Sequence, residues 1–145
     1  MSGEFLMEKI RRRGLLLVLS SPSGAGKTTI TRALRHREKN LTMSISVTTR
    51  EKRPGEIEGK DYIFTDQVGF DKMVANNNFL EFATVFGESY GSPRISVEEK
   101  LGKSQDVIFD VDWQGSQQLK KAAGDDIVSV FILPPSLKEL EKRLL

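Results

Sequence analysis

The sequence predicts an α/β fold in which helices flank a parallel sheet, and three short apolar runs carry this prediction. The runs Leu15–Ser20, Val107–Val111 and Ile127–Leu133 are continuous in the manner of strands that are covered on both faces. Segments with helical periodicity lie between them, and strands that alternate with helices favour a parallel sheet. We therefore expect the 145 residues to form a single domain around such a sheet.

The helices predicted between these strands have recognisable patterns. In residues 27–37, Ile30, Ala33 and Leu34 recur at helical spacing among polar residues, which indicates an amphipathic helix. Ser136 with a glutamate three residues later is a capping-box pattern, so a helix should begin after it. The further helices that we predict are Val68–Ala75, a helix that Pro93 opens and that extends to about Lys100, Trp113–Ala122, and Leu137–Leu145.

The middle of the chain contains more strand and loop than the rest, which indicates a segment that lies outside the main sheet. We expect a core made of residues 1–43 and 93–145, with residues 44–92 inserted as a mixed α/β segment. The non-helical elements predicted for this region are an alternating strand at Met43–Val47, a charged loop at residues 50–60 around Pro54-Gly55, and strands at Tyr62–Phe64 and Phe79–Phe86.

The composition excludes several kinds of site. The chain has no cysteine, which excludes a disulfide scaffold, a thiolate nucleophile and a cysteine-based zinc site. Its one histidine, His36, argues against a Ser-His-Asp triad or a histidine metal cluster. No apolar run approaches the ~20 residues that span a bilayer. We therefore expect a cytoplasmic protein that does not act at a membrane.

The strongest motif is a glycine-rich turn between the first strand and the first helix, to which we refer below as the phosphate loop. Its residues Ser21-Pro22-Ser23-Gly24-Ala25-Gly26-Lys27-Thr28 fit the pattern Gly-x4-Gly-Lys-Ser/Thr, except that Ser21 takes the first glycine position. Small residues let main-chain N–H groups converge on phosphate oxygens, and the helix N-terminus adds partial positive charge. Lys27 would reach the outer phosphates of a nucleotide, and the Thr28 hydroxyl would bind Mg²⁺. The motif thus predicts a P-loop NTPase-type sheet, and Ser21 is tolerable where its φ is negative.

Two carboxylates lie at the carboxyl end of the apolar strand Val107–Val111. In doubly wound sheets ligands bind at the carboxyl ends of strands, so Asp110 and Asp112 are placed to hold Mg²⁺ directly or through water. Alternatively, Asp112 serves only as the N-cap of the helix that follows.

A second candidate anion site lies in the stretch Ser46–Glu56. Arg50 and Arg53 carry planar donor groups that suit a phosphate clamp, although the same segment also fits a solvated loop. Together with the phosphate loop, a second anion site suggests two phosphorylated substrates that face each other. Glu56 would either support the arginine loop by pairing with Arg53 or be merely solvated.

Taken in order, these motifs resemble the guanylate kinase family, P-loop enzymes that transfer the γ-phosphoryl group of ATP to GMP. The resemblance implies ATP and GMP as substrates, Mg²⁺ as the cofactor, a role in purine nucleotide metabolism, and a GMP-binding role for residues 44–92. Besides the phosphate loop, the matching stretches are Ser46–Arg50, Arg53–Glu56, Gly59–Tyr62, Phe79–Glu81, Tyr90–Ser92, Asp110–Gly115 and Leu133–Ser136, which run in order across residues 15–145.

The resemblance also implies a role for each matching residue. Lys27 and Arg50 would be catalytic, and Thr28 with Asp110 would hold the metal ion. The phosphate of GMP would be bound by Arg50, Arg53, Tyr62 and Tyr90, its guanine by Ser46, Glu81, Ser92 and Asp112, and ATP by the loop from Ser21 to Thr28 together with Arg143.

Guanine suits the carboxylates among these residues. It presents a ring N–H and an exocyclic amine on one edge, and both groups donate hydrogen bonds to carboxylates such as Glu81 and Asp112. Adenine presents an acceptor nitrogen there, and an unmade buried hydrogen bond costs roughly 1–3 kcal/mol. The resemblance therefore implies selection of GMP over AMP.

The chain departs from the family pattern at its end. Arg143 matches the first arginine of the family's lid, and the rest of the lid and the C-terminal part are absent from the sequence. An arginine at a phosphoryl-transfer site is worth on the order of 10³–10⁵ in rate. We therefore expect a fragment with weak activity.

Two other functions stay open. Guanylate-kinase-like domains also serve as non-catalytic nucleotide-binding or protein-binding modules, although their phosphate loops are usually degraded. A basic nucleic-acid binder would rest on Arg11–Arg13 and Arg32–Arg37, and a net charge of +2 gives it weak support, so we expect no nucleic-acid partner.

Overall fold

The computed structural model describes residues 12–22 and 25–144, which form two sheets together with the helices that pack on them. The described residues contain no helix that is long and apolar enough to cross a bilayer. In chain order the elements are β1 (Leu16–Ser20), α1 (Lys27–Arg37), β2 (Leu41–Met43), β3 (Val47–Thr48), β4 (Ile63–Phe64), α2 (Gln67–Ala75), β5 (Phe79–Val85), β6 (Glu88–Pro93), α3 (Arg94–Gly102), β7 (Asp106–Asp110), α4 (Trp113–Ala123), a 3₁₀ turn (Gly124–Asp126), β8 (Ile127–Phe131) and α5 (Leu137–Leu144).

The first sheet is parallel throughout and has the strand order β2-β7-β1-β8. Its central strand β1 is covered on both faces, because Leu16 and Val18 pack against α3 and α4 while Leu19 packs with Ile108 on the opposite side. The predicted α/β class with a parallel, helix-flanked sheet is confirmed, as is the burial of β1 and β7.

The second sheet is mixed and has the order β4-β3-β6-β5, with β3 parallel to β4 and antiparallel to β6. Phe70 of α2 packs on it with Val47 and Phe79. Strand β5 connects this sheet to the first sheet and its helices. Leu80 packs in the apolar core around Leu16 and Val18 of β1, and the Gln118 side chain of α4 exchanges hydrogen bonds of 3.0 and 2.9 Å with the main chain of Phe82. These contacts hold β5 against the core of the first sheet and against α4.

The predicted strand Met43–Val47 is wrong. β2 ends at Met43 and β3 begins at Val47, and the three residues between them carry the chain from one sheet to the other. An alternating pattern cannot signal that the pairing partners change within it. The prediction also lacks β6, because Gly91 and Pro93 weaken the strand signal in that segment.

The burial predicted for Ile127–Leu133 is wrong as well. β8 is shorter than that run, and Val128 and Val130 are 47% and 42% exposed. Within the described part of the chain, β8 lies at the edge of the sheet and pairs with β1 on one side. An apolar run shows that a strand can be buried and says nothing about its place in the sheet order.

The helix α1 has its predicted bounds and only part of its predicted buried face. Leu34 packs with Leu19 and Ile108, but Ile30 is 38% exposed and the buried residue of the helix is Thr31. The capping-box prediction is confirmed at its N-cap bond, since Ser136 Oγ accepts a hydrogen bond of 3.0 Å from the Glu139 main chain.

The two arginines that precede β1 are paired with carboxylates. Arg12 donates two hydrogen bonds of 2.7 Å to Asp106, and Arg13 bonds Glu98 at 2.5 Å and Asp126 at 3.0 Å. Residues 1–11, which include Arg11 of the basic run, lie outside the described residues. The described charges of this run are therefore partly neutralised within the protein.

Candidate active site

The phosphate loop connects β1 to α1 and lines a cavity of about 420 Å³. Gly26 has a φ of +94°, a conformation that favours glycine, and it directly precedes the helix. Ser21 is not among the described residues with positive φ, so serine causes no left-handed strain at the first glycine position. Ser23 and Gly24 lie outside the described residues; the cavity is lined by Ser21, Pro22, Ala25, Gly26, Lys27, Thr28 and Thr29.

Strand pairing brings the end of β7 beside this loop. Leu19 of β1 lies opposite Asp110 of β7, and the Nζ atom of Lys27 is 2.7 Å from Asp110 Oδ1. The lysine and aspartate side chains are 22% and 29% exposed. The predicted phosphate-binding lysine and the predicted metal-binding carboxylate are therefore in contact.

A second cavity, of about 290 Å³, opens between the two sheets. Asp110 lines it and also bonds Lys27, so this cavity and the phosphate-loop cavity adjoin at the Lys27–Asp110 pair. Of the residues predicted to bind GMP or the metal ion, the structure brings seven together here: Ser46, Tyr62, Glu81, Tyr90, Ser92, Asp110 and Asp112.

Glu81 is a buried carboxylate in the wall of this cavity. Its residue is 9% exposed, and Oε1 accepts a hydrogen bond of 2.5 Å from Ser92 Oγ. Burial raises the pKa of the Glu81 carboxyl, the nearby charge of Asp112 raises it further, and the Ser92 bond opposes both effects. A carboxyl group that is costly to ionise and faces a cavity indicates a ligand-binding position.

An irregularity in β5 explains why Glu81 is buried. The pairing of β5 with β6 shifts register between Phe79 and Glu81, so Phe79, Leu80 and Glu81 are all buried in succession. A regular strand would turn alternate side chains to opposite faces. The shift lets an apolar strand place one charged side chain in the cavity.

Asp112 is the N-cap of α4, as one of the two alternatives predicted. Its Oδ1 accepts a hydrogen bond of 2.8 Å from the Gly115 main chain. Because Asp112 also lines the cavity, the cap does not exclude a contact with a ligand, and its guanine-binding role stays a prediction.

The loop that carries the arginines is held by Glu56. The Arg50 nitrogens Nη1 and Nη2 donate hydrogen bonds of 2.9 and 2.8 Å to the two carboxylate oxygens of Glu56. The main-chain N–H of Arg53 donates to Glu56 Oε1 at 2.7 Å. These bonds hold the pKa of Glu56 at about 2. Glu56 therefore supports the loop, through the side chain of Arg50 and the main chain of Arg53, and the solvated alternative is wrong.

Tyrosines connect Arg50 to the second cavity. The guanidinium carbon of Arg50 lies 5.2 Å from the ring centroid of Tyr62, and the rings of Tyr62 and Tyr90 meet edge to face at 6.2 Å. Both tyrosines line the cavity, whereas Arg50 and Arg53 are not among its lining residues and Arg53 is exposed. The structure thus places Arg50 beside the cavity and Arg53 farther out on the loop.

Arg143 of α5 lies over the phosphate loop. Its Nη1 atom is 4.0 Å from the position that a Cβ on Gly26 would occupy, and its Nε donates to Glu139 Oε1 at 3.3 Å.

The sequence analysis left open whether Glu56 supports the arginine loop. The sequence signal for that role is the turn at Pro54-Gly55, which returns the chain towards Arg53.

Comparison with known proteins agrees with this geometry. The guanylate kinase family model matches residues 13–145. The guanylate kinase of Rhodopseudomonas palustris strain BisB18 is 59% identical over 138 residues, which cover 95% of this chain and 63% of the relative. That of Bradyrhizobium diazoefficiens is 58% identical over 135 residues, which cover 93% and 62%.

A solved structure shows the same similarity. The crystal structure of guanylate kinase from Anaplasma phagocytophilum matches with a TM-score of 0.68 and 40% sequence identity, over 91% of this chain and 66% of that one. The chain spans about 63% of the length of the first of the curated relatives. Because the family model covers nearly every described residue, including both cavities, the chain belongs to the guanylate kinase family.

Proposed function

We propose that this chain binds ATP at the phosphate loop and GMP in the second cavity, and transfers the γ-phosphoryl group of ATP to GMP. A phosphate oxygen of GMP forms the new P–O bond, the bond between the γ-phosphorus and the bridging oxygen breaks, and ADP leaves. The observation that carries this proposal is the Lys27–Asp110 pair, which lies where the two cavities adjoin.

The acceptor site fits guanine through its carboxylates. Glu81 is buried, lines the cavity and is held by Ser92, so guanine donors would meet a fixed acceptor. Adenine would leave that acceptor unpaired, at a cost of roughly 1–3 kcal/mol. This supports GMP as the preferred acceptor over AMP.

The reaction needs no general base, because a phosphate monoester is already largely anionic near neutral pH, with a second pKa of about 6. The obstacle is the repulsion between two polyanions, so catalysis would consist of positioning and charge neutralisation. Lys27 would neutralise charge on the ATP side and Arg50 on the GMP side. The hydroxyl groups of Tyr62 and Tyr90 would orient the phosphate of GMP.

The residues present fit a magnesium ion that accompanies ATP. Mg²⁺ prefers oxygen donors and usually takes one or two protein ligands, with phosphates and water as the rest. The Thr28 hydroxyl and the Asp110 carboxylate are such donors, and no group of three or more His, Cys, Asp or Glu converges within the described residues. When bound, the ion would neutralise charge on the ATP phosphates.

The proposed functions divide along the chain. Residues 44–92 would form the GMP-binding segment, and residues 1–43 and 93–145 the core that binds ATP; Arg143 would contribute to the ATP side. We also propose that the protein acts in the cytoplasm in purine nucleotide metabolism, where its proposed substrates are found.

An ADP-release assay tests the proposed function. With ATP, Mg²⁺ and GMP we expect GMP-dependent release of ADP, at least about tenfold faster than with AMP. Lys27→Ala should abolish it, whereas Lys39→Ala, a change at an exposed lysine, should leave it unchanged. Equal rates with AMP would contradict the guanine assignment. GMP binding without any ADP release would favour a non-catalytic nucleotide-binding module.

A further inference from the structure

Glu56 engages both arginines of the candidate GMP phosphate site. Its two carboxylate oxygens accept from Nη1 and Nη2 of Arg50, and Oε1 also accepts from the Arg53 main chain. The Arg50 and Glu56 side chains are 12% and 19% exposed, so this is among the better shielded ion pairs of the described residues. The arrangement therefore differs from a surface pair that water can replace.

The local fold brings Glu56 to this place. The turn at Pro54-Gly55 has Gly55 at a φ of +88°, and the Glu56 main-chain N–H donates to the Arg53 carbonyl at 3.1 Å. The chain thus reverses between the two arginines and Glu56. As a result, the carboxylate meets the Nη1 and Nη2 atoms of Arg50 and the main-chain N–H of Arg53.

The hydrogen bonds to Glu51 and Glu56 use part of the donor set of Arg50. A guanidinium has five N–H donors in one plane. Nη1 donates to the Glu51 carbonyl and to Glu56, and Nη2 donates to Glu56. The two donors that these bonds leave, on Nε and Nη2, share one edge of the guanidinium, and such an edge can bind two oxygens of a phosphate. The Tyr62 and Tyr90 side chains also interact with Arg50, so a bound phosphate would meet the guanidinium beside both phenol groups.

We propose that Glu56 is a positioning residue, which holds the guanidinium of Arg50 so that this remaining edge is presented to the phosphate of GMP. The inference rests on the proposed function. The Tyr62 ring against the same guanidinium supports it, because that contact places Arg50 beside the cavity that would receive GMP.

Electrostatics alone predicts the opposite result of a mutation. Glu56 carries a negative charge close to a site for a dianion, so removing that charge would by itself strengthen phosphate binding. If Glu56 positions Arg50, its neutralisation instead weakens binding, because the guanidinium is no longer held in one orientation. The sign of the change therefore separates the two effects.

The test uses Glu56→Gln. The amide oxygen of glutamine still accepts from the Arg53 main chain, whereas its NH₂ group cannot accept from Arg50, so the loop bond is retained and the bidentate bond is lost. We expect affinity for GMP, measured by calorimetry, to fall about 5- to 50-fold. Affinity for guanosine, which lacks the phosphate, should stay within about twofold when measured by NMR titration.

The matched control is Glu51→Gln, which removes a negative charge from the same loop and keeps the carbonyl that accepts from Arg50. Its affinity for GMP should equal that of the unmodified protein or exceed it slightly. A double-mutant cycle adds a second readout: lysine at position 50 cannot make the bidentate bond, so Glu56→Gln should cost less than about twofold in an Arg50→Lys background.

Each outcome has one meaning. Unchanged or stronger GMP binding by Glu56→Gln would overturn the inference alone, as would an equal loss for guanosine and GMP, which indicates a merely structural role. Circular dichroism and Tm values show whether the variant is folded. An unmodified protein that does not bind GMP would overturn the proposed function, and the inference with it.

Discussion

The ammonium group of Lys27 lies 2.7 Å from the carboxylate of Asp110 and joins the phosphate loop to the end of the neighbouring strand β7. Both side chains are less than one third exposed, and the carboxylate also lines the cavity between the sheets. In the nucleotide complex that we propose, phosphate oxygens compete for the lysine. Release of Asp110 from Lys27 would then make the carboxylate available to a cation.

Asp110→Asn tests this exchange. We expect ADP production to fall about 10- to 100-fold, with a higher Mg²⁺ concentration needed for half-maximal rate, because an amide holds a divalent cation less well than a carboxylate. Stability should change by about 1 kcal/mol or less, since partly exposed pairs contribute little. Asp125→Asn, at an exposed position, is the control. An unaltered Mg²⁺ requirement would refute the role of Asp110.

Glu81→Gln tests the proposed guanine site. The substitution keeps the size of the side chain and replaces one acceptor by a donor, so GMP affinity should fall about 10- to 100-fold while ATP affinity is unchanged. Calorimetric titration with each nucleotide measures both. Glu99→Gln, at an exposed position of α3, should affect neither. A larger loss for ATP than for GMP would reverse the assignment.

A pH dependence of the proposed GMP binding follows from the same residue. Burial raises the pKa of Glu81, and guanine donors require its ionised form, so the Glu81 contribution to GMP affinity is complete above that pKa and lost as pH falls through it. The GMP phosphate titrates as well, near pH 6. Titration of the phosphate affects both proteins alike, so it cancels in the ratio of the GMP affinity of the unmodified protein to that of Glu81→Gln. This ratio should fall towards one as the pH is lowered. A ratio independent of pH would contradict the prediction.

The stability of the unliganded protein should show the opposite trend. Because the folded-state pKa of Glu81 is above its unfolded value, ionisation disfavours the folded state, and the Glu81 contribution to stability increases as pH falls through the raised pKa. Glu81→Gln should therefore have a Tm at pH 7 no lower than that of the unmodified protein. A markedly lower Tm would show that the carboxylate stabilises the fold.

Gly91→Ala tests the packing behind the cavity. A Cβ at Gly91 would lie 2.7 Å from the Phe79 ring, and Gly91 is flanked by the cavity residues Tyr90 and Ser92. We expect a loss of about 1–3 kcal/mol in the free energy of unfolding, measured by urea denaturation. Gly102→Ala, where a Cβ meets nothing within 4 Å, is the control and should change stability by about 0.5 kcal/mol or less. Similar losses for both variants would contradict this account.

The elements that the sequence predicts correctly are those with local causes. The phosphate loop follows from a buried run, small residues and an amphipathic helix in succession, and the N-caps at Asp112 and Ser136 depend on a few neighbouring residues. The resemblance to guanylate kinases added the cavity residues, which are far apart in the chain. Six of the residues that it implies for GMP line one cavity in the structure, together with Asp110, which was predicted from its place at the end of a strand.

The features that the sequence does not reveal depend on distant pairing. The change of sheet between Met43 and Val47, the exposure of β8 and the register shift that buries Glu81 are all set by strands elsewhere in the chain. The support that Glu56 gives to Arg50 depends on a turn whose geometry the residue types allow without requiring it. Residue types in a local segment do not determine such features.

The central claim is that two nucleotide sites adjoin at Lys27 and Asp110, and a bisubstrate analogue tests it most directly. Adenosine and guanosine joined by five phosphates should bind more tightly than either ATP or GMP, because one molecule fills both cavities. Calorimetry should show that Lys27→Ala and Glu81→Gln each weaken its binding at least about tenfold. An analogue that binds no better than ATP and is insensitive to Glu81→Gln would contradict the account.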